Sequence, residues 1–173
     1  MELVIRKGTL AETEQFILLL QEIRERMENA DWLYLDEPEE VHQMMADGTM
    51  EFWVAMDGSR MAAAFSILIP GLHSFNYGYD LGFDESSLLQ VVNMDTIAVH
   101  PDYRGRGLQK RLMQEAEQEL AHRGPHILLC TAHPDNCFSL NNILAQGYTI
   151  ARMLPKYDSL RFILRKDLQK KIF

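Results

Sequence analysis

A strand, a tight turn and a helix follow one another in the stretch Val99-His-Pro-Asp-Tyr-Arg104-Gly-Arg-Gly107-Leu-Gln-Lys110. Gly105 and Gly107 permit backbone torsions and a close approach that a Cβ atom would block. The first amides of the helix lack intrahelical acceptors, and the helix dipole favours an anion beside them. Arg104, Arg106 and Lys110 add positive charge around the same point. The stretch therefore predicts a site for a phosphate or pyrophosphate group.

Two widespread phosphate-binding motifs do not fit this turn. It has no Gly-Lys-Ser/Thr ending, so it is not a P-loop. The pattern Gly-x-Gly-x-x-Gly is incomplete, and no acidic residue is placed after the next strand, so the dinucleotide fingerprint is absent as well. A plain anion-binding fold with a phosphorylated metabolite as its ligand stays an alternative, as does a turn that serves geometry alone.

The flanking sequence predicts a mixed α+β fold in one domain, residues 1–173. Apolar residues at helical spacing predict helices over 10–27, 38–47 and 136–146, and a further helix from Leu108 that closes at Gly124. Alternating or continuous apolar runs predict strands over 3–6, 51–56, 60–69, 91–99, 126–131, 148–154 and 160–165. Residues 71–90, rich in Gly, Ser, Asn and Asp, are predicted to form a long, partly ordered loop.

The charge of the chain is concentrated in its first third. Of the net charge of −8, residues 1–50 contribute 12 acidic and 4 basic side chains, so the remainder is neutral. This balance disfavours a nucleic-acid or anionic-membrane partner. No apolar run approaches the ~20 residues of a membrane span, the N-terminus lacks a secretory signal pattern, and two cysteines cannot form a disulfide framework. We expect a cytoplasmic protein.

Two motifs together resemble the GNAT superfamily of N-acetyltransferases. The first is Arg104-x-x-Gly107 at a strand-to-helix turn, with the aliphatic Val99 five residues earlier. The second follows the next strand: Asn136, a small residue at Ser139, and then Gly147-Tyr148. The order of strands and helices matches along nearly the whole chain.

The resemblance implies a central mixed, mostly antiparallel sheet with a splayed strand pair and about four flanking helices. It implies an acetyltransferase that moves the acetyl group of acetyl-CoA to a primary amine of a small molecule or peptide. No metal is expected, because the histidines lack paired spacing for zinc and no Cys-x-x-Cys motif exists. Helices 10–27 and 38–47 would flank the acceptor entrance, where their acids favour a cationic amine, although a solvated acidic face is the plainer interpretation. A homodimer stays open. The residues that would bind coenzyme A are Ile97, Ala98, Val99, Arg104, Gly105, Arg106, Gly107, Leu108, Gln109, Lys110, Asn136 and Ser139.

The catalytic groups are less defined than the cofactor site. The tyrosine that serves many family members as general acid is replaced by Ile143, and Gln109 stands where the first motif has Gly or Ala. A general base must remove a proton from the amine. Asp95 is the candidate because it lies on the strand that would run beside the thioester, yet it could equally be a paired structural carboxylate. His133 is an alternative relay. A CoA-binding or regulatory module without strong catalysis therefore stays an alternative function.

Overall fold

The computed structural model describes residues 3–124 and 126–169, and the predicted domain limits at 1 and 173 lie outside these ranges. The described residues form a mixed α+β fold. The elements in chain order are β1 (Val4–Lys7), α1 (Thr13–Glu25), α2 (Pro38–Asp47), β2 (Met50–Asp57), β3 (Arg60–Leu68), α3 (Glu85–Leu88), β4 (Val91–Val99), α4 (Leu108–Arg123), β5 (His126–Ala132), α5 (Cys137–Ala145), β6 (Thr149–Lys156) and β7 (Ser159–Leu168). Short 3-10 helices cover Leu10–Glu12, Ala30–Trp32, Tyr79–Leu81 and Pro101–Tyr103.

The strands follow the order β1-β2-β3-β4-β5-β7-β6 in a seven-stranded sheet. The pairs β1/β2, β5/β7 and β6/β7 are antiparallel, whereas β4/β5 is parallel. The parallel ladder joins residues 91–93 to residues 127–129, and β4 then continues to Val99. The mixed, mostly antiparallel sheet is confirmed, with five α-helices in the described ranges, of which α3 is a single turn, against the four expected.

Two compact units divide the chain. The first comprises Met1–Ile67 and Thr96–Ala116, and the second comprises Leu68–Asp95 and Glu117–Phe173. One domain over 1–173 stays a prediction. Across residues 3–124 and 126–169, no helix is both long and apolar enough to cross a membrane.

The core of the first unit is built from α1, β2 and β3. The apolar face predicted for α1 is buried, and the ring of Phe16 stacks on that of Phe52 with 4.8 Å between centroids. The first residues of the predicted 10–27 helix form the 3-10 turn Leu10–Glu12 instead, and the observed α-helix ends at Glu25. At α2 the ends are as predicted: Pro38 is the first residue, and Gly48, with φ of +80°, follows the last. Proline suits a first helical turn, and glycine suits the left-handed conformation after a helix.

Residues 71–90 are more ordered than the sequence predicts. Asn76, 1% exposed, donates to the carbonyl oxygens of Gly71 and Leu88 at 2.7 and 3.0 Å and accepts from the amide of Gly78 at 2.8 Å. Tyr77, also buried, packs in a core cluster of the second unit. A buried side-chain amide with its partners satisfied fixes a loop that composition alone describes as irregular.

The ion pair of Arg6 and Glu12 gives the fold a predictable acid sensitivity. Arg6 donates to both carboxylate oxygens of Glu12, at 3.0 and 2.6 Å, and this hydrogen bonding lowers the pKa of Glu12 to about 2. Glu12→Gln should reduce the free energy of unfolding by about 1 kcal/mol at pH 7. Because the folded-state pKa is depressed, the difference from wild type should shrink as pH falls from about 4.5 toward about 2. Urea unfolding across this range measures it, with exposed Glu39→Gln as the control. A pH-independent difference would contradict the expectation.

Candidate functional site: an open anion-binding turn

The turn between β4 and α4 is open at both of its glycines. Gly105 and Gly107 have φ of +77° and +67°, the left-handed region that other residues rarely adopt. A Cβ atom built on either glycine would meet no heavy atom of the protein within 4 Å. The glycines are therefore required by backbone conformation, and the space beside them is available to a ligand.

The first amides of α4 face this turn without helical partners. The carbonyl oxygen of Gly107 accepts from the amide of Arg111 at 3.1 Å, which is the first hydrogen bond of the helix. The amides of Leu108, Gln109 and Lys110 precede that bond and so have no acceptor inside the helix. Together with the helix dipole they favour a negatively charged group at the turn.

Three cations surround the turn without carboxylate partners. Arg104, Arg106 and Lys110 are exposed, and in the part of the chain that the structure describes none of them forms an ion pair. The nearby Arg60, by contrast, contacts Asp102 at 3.2 Å. Unpaired positive charge is thus concentrated where the glycines and the helix amides lie, which is the arrangement that binds phosphate.

Two buried side chains fix the segment that leads into the turn. Tyr103, 7% exposed, donates from its hydroxyl to Oδ2 of Asp57 at 2.8 Å, and this bond raises the pKa of Tyr103. His100, 3% exposed, donates from its backbone amide to Ala62 at 2.9 Å and accepts at Nδ1 from the amide of Asp102 at 3.2 Å. The 3-10 turn Pro101–Tyr103 is therefore fixed at both ends.

Strand β4 presents the predicted strand residues on two faces. Asp95, Ile97 and Val99 are half-buried and alternate with buried residues, so these three share one face of the strand. Ala98, 1% exposed, faces the other side. This alternation leaves Asp95 on the same face as two residues predicted to line the cofactor.

The residues of the second motif lie in the second unit. Asn136 precedes α5 and accepts at Oδ1 from the amide of Ser139 at 3.3 Å, so it caps that helix. His133 accepts at Nδ1 from the amide of Asp135 at 3.1 Å, which is a turn contact. Ile143 is 4% exposed. The structure thus brings Arg104 to Lys110 together in one turn, and gives Asn136 and Ser139 a local role in their own helix.

Comparison with known families decides the class of protein. The acetyltransferase (GNAT) family model matches residues 17–148. The chain belongs to the GNAT acetyltransferase family. The match includes both sequence motifs, from Val99 to Tyr148, and so confirms the resemblance. A search among curated proteins found no significant match.

Solved acetyltransferase structures share the fold at low sequence identity. The yncA acetyltransferase of Salmonella typhimurium, solved with acetyl-CoA, has a TM-score of 0.70 at 16% identity, and the alignment covers 100% of this chain and 96% of the yncA chain. A GNAT acetyltransferase of Streptococcus agalactiae has a TM-score of 0.71 at 22% identity, with 98% and 96% covered. The PaiA N-acetyltransferase of Thermoplasma acidophilum, solved with coenzyme A, has a TM-score of 0.69 at 14% identity, with 96% and 99% covered.

The two cysteines of this GNAT protein have different settings. Cys130 is buried, and burial together with the charge of Glu117 raises the pKa of its thiol. Cys137 is exposed at the first turn of α5. Over the described ranges, no group of three His, Cys, Asp or Glu side chains could hold a metal ion.

Sequence reasoning missed the support beneath the GNAT turn. Asp57 and Tyr103 are 46 residues apart in the chain, and no local pattern links a hairpin turn to a 3-10 turn at that separation. The one available signal was the stretch His100-Pro-Asp-Tyr103, whose proline and aspartate indicate a tight turn.

Proposed function

We propose that the protein is an acetyl-CoA-dependent N-acetyltransferase that acetylates a primary amine of a small molecule or peptide. The observation that carries the proposal is the open turn at Gly105 and Gly107 with its three unpaired cations. Family membership and the related structures that contain acetyl-CoA or coenzyme A support it.

The turn would hold the pyrophosphate of the co-substrate. The amides from Gly105 to Lys110 would donate to its oxygens, and Arg104 and Arg106 would neutralise its charge. The backbone of Ile97, Ala98 and Val99 would pair with the pantetheine arm, while Asn136 and Ser139 are further candidates from the second motif. Acetyl-CoA supplies an activated acetyl group as a thioester.

The transfer requires the movement of two protons, one from the amine and one to the leaving thiolate. A neutral amine attacks the thioester carbonyl, a C–N bond forms, the C–S bond breaks, and the amine loses a proton. Asp95 is our candidate for the base, on the half-buried face of β4. Ile143 has no ionisable proton to donate, so water or another residue would protonate the leaving thiolate.

A thiol-release assay with acetyl-CoA tests the function directly. Polyamines, amino acids, aminoglycosides and N-terminal peptides form the acceptor panel, and we expect thiol release above background with at least one class. Tight coenzyme A binding without release across the panel would instead support a CoA-binding module, the alternative that buried Ile143 favours. Binding of ATP or free pyrophosphate as tightly as coenzyme A would contradict both functions.

Asp95→Asn is expected to lower turnover while leaving the affinity for coenzyme A nearly unchanged. The amide cannot accept the proton of the amine, so kcat should fall by roughly 100-fold and the acidic limb of the rate profile should disappear. Asp84→Asn is the matched control, because Asp84 caps α3 and asparagine caps equally well. Unchanged turnover in Asp95→Asn would remove this residue from the mechanism.

Uncompensated acids at the start of α2 support a cationic acceptor. Glu12 and Glu22 contact Arg6 and Arg26 respectively, so part of the negative charge of the first unit is neutralised. The acidic residues at the start of α2, Asp36, Glu37, Glu39 and Glu40, form no ion pair within the described residues. Burial and the neighbouring charge of Glu40 raise the pKa of Asp36. A nearby ammonium group would relieve this repulsion.

The specificity constant for a cationic amine should fall as ionic strength rises, whereas that for a neutral acceptor of similar size should change little. Charges attract an ammonium only within a Debye length of ~8 Å at physiological salt. The double variant Glu39→Gln/Glu40→Gln should flatten the dependence, since glutamine preserves the contact of residue 40 with the amide of Glu37. Glu25→Gln/Glu28→Gln makes the same charge change at the end of α1, the other helix expected beside the entrance, so comparing the two double variants shows which helix supplies the attraction. Equal salt dependence for both acceptors would contradict the prediction.

A further inference from the structure

Tyr103 connects a hairpin of the first unit to an arginine of the open turn. Its hydroxyl donates to Oδ2 of Asp57, the last residue of β2, at 2.8 Å. The guanidinium of Arg106 lies over its ring, 5.1 Å from the centroid. The pKa of Tyr103 is raised by the bond to Asp57, so the phenol stays a protonated donor at neutral pH. The ring is thereby anchored at one end and contacts a cation on its face.

Two arginines approach this ring, and they differ in their other partners. The guanidinium of Arg60 lies 5.5 Å from the ring centroid and also contacts Asp102 at 3.2 Å and Nε2 of His100 at 2.9 Å. For Arg106, by contrast, the described residues provide the ring of Tyr103 but no ion pair and no side-chain hydrogen bond. Arg60 is held by the protein, whereas the charge of Arg106 is available to a ligand.

The backbone around Arg106 does little to fix its side chain. The residue lies between two glycines of positive φ and is exposed. A long side chain in such a place samples many rotamers, and a ligand that binds it must restrict them. A cation held over an aromatic face loses part of that freedom before the ligand arrives.

We propose that Tyr103 is a positioning residue that orients Arg106 toward the anionic group bound at the turn, with Asp57 fixing the orientation of Tyr103. The inference rests on the proposed function, in which that group is the pyrophosphate of coenzyme A. Tyr103 itself is 7% exposed, so it would act on the ligand through Arg106.

Binding of two probes separates positioning from a structural role. Coenzyme A carries the pyrophosphate, whereas pantetheine contains the same arm without any phosphate. Dissociation constants for both are measured by titration calorimetry or ligand-observed NMR. The variants are Tyr103→Phe, Tyr103→Leu, Arg106→Gln and the double variant Tyr103→Leu/Arg106→Gln. Tyr79→Leu, an exposed tyrosine of the second unit, is the control.

Tyr103→Leu should weaken coenzyme A binding by roughly two- to fivefold, the range of an exposed cation–π contact, and leave pantetheine binding unchanged. Tyr103→Phe keeps the ring and should have a smaller effect. The double variant should bind coenzyme A no more weakly than Arg106→Gln alone, because the tyrosine acts through that arginine.

Equal weakening of both probes, or the same loss with and without Arg106, would overturn the inference and leave Tyr103 as a structural residue. A partly unfolded variant would weaken both probes together, so it does not imitate the expected pattern. Wild-type protein that binds coenzyme A no better than pantetheine would contradict the proposed phosphate site itself. The two dissociation constants of the wild-type protein are therefore measured first, before the variants.

Discussion

Gly107→Val is expected to abolish measurable binding of coenzyme A while the protein stays folded. The branched side chain would occupy the open space beside the turn, where no protein atom lies within 4 Å of the added Cβ. It would displace the phosphate from the amides of the helix. Loss of two charge-assisted hydrogen bonds, each about 1.5–3 kcal/mol, corresponds to more than about 100-fold in affinity. Titration calorimetry with coenzyme A measures the loss, and circular dichroism confirms the fold.

A matched variant isolates the ligand effect from backbone strain. Gly48 has φ of +80° after α2, and a Cβ there also meets no protein atom, so Gly48→Val makes the same change outside the turn. A left-handed non-glycine residue costs roughly 1–2 kcal/mol of stability, which both variants should share. Only Gly107→Val should lose coenzyme A. Normal binding by folded Gly107→Val would show that the ligand lies elsewhere.

Local patterns were sufficient to predict most of the fold. Helix α2 begins at a proline and is followed by a glycine, and both signals are visible in the sequence. Strand β4 occupies residues 91–99 as predicted. The 71–90 segment was predicted least well, because its order depends on the buried hydrogen bonds of Asn76 within the segment and on Tyr77, which packs with Leu129 and Ile163, residues distant in the chain. Periodicity reports on a local face, whereas such contacts depend on tertiary structure.

In the candidate site, too, the sequence predicts local features better than contacts between distant residues. The glycines, the arginines and the helix start of the open turn are local, so the sequence predicts all of them. The contact between Asp57 and Tyr103 is not local, because the two residues are 46 apart in the chain. Whether Asp95 is the general base also depends on the groups that surround it, and the spacing of residues in a sequence does not predict those groups. A motif thus predicts the backbone of a candidate site better than the long-range side-chain contacts around it.

The second unit contains one carboxylate whose removal should affect stability more than any exposed charge. Glu117, on α4, is 8% exposed. It accepts from the hydroxyl of Tyr148 at 2.8 Å and from Nζ of Lys166 on β7 at 2.5 Å. Burial is the main cause that raises the pKa of Tyr148, and the charge of Glu117 adds to it. Glu117 therefore satisfies a buried phenol and a partly buried ammonium at once.

Glu117→Ala should lower the free energy of unfolding by about 3 kcal/mol, at the lower end for breaking a buried pair because the Lys166 side chain is 25% exposed. The loss arises because the phenol and the ammonium are left without an acceptor, and it is measured by urea unfolding. Glu119→Ala is the matched control: its carboxylate pairs with Arg123 on the same helix, is more exposed, and should cost about 0.5 kcal/mol or less. Tyr148→Phe should cost about 1 kcal/mol, since Glu117 keeps its lysine. Equal losses for Glu117→Ala and Glu119→Ala would mean that Glu117, Tyr148 and Lys166 do not act as a stabilising unit.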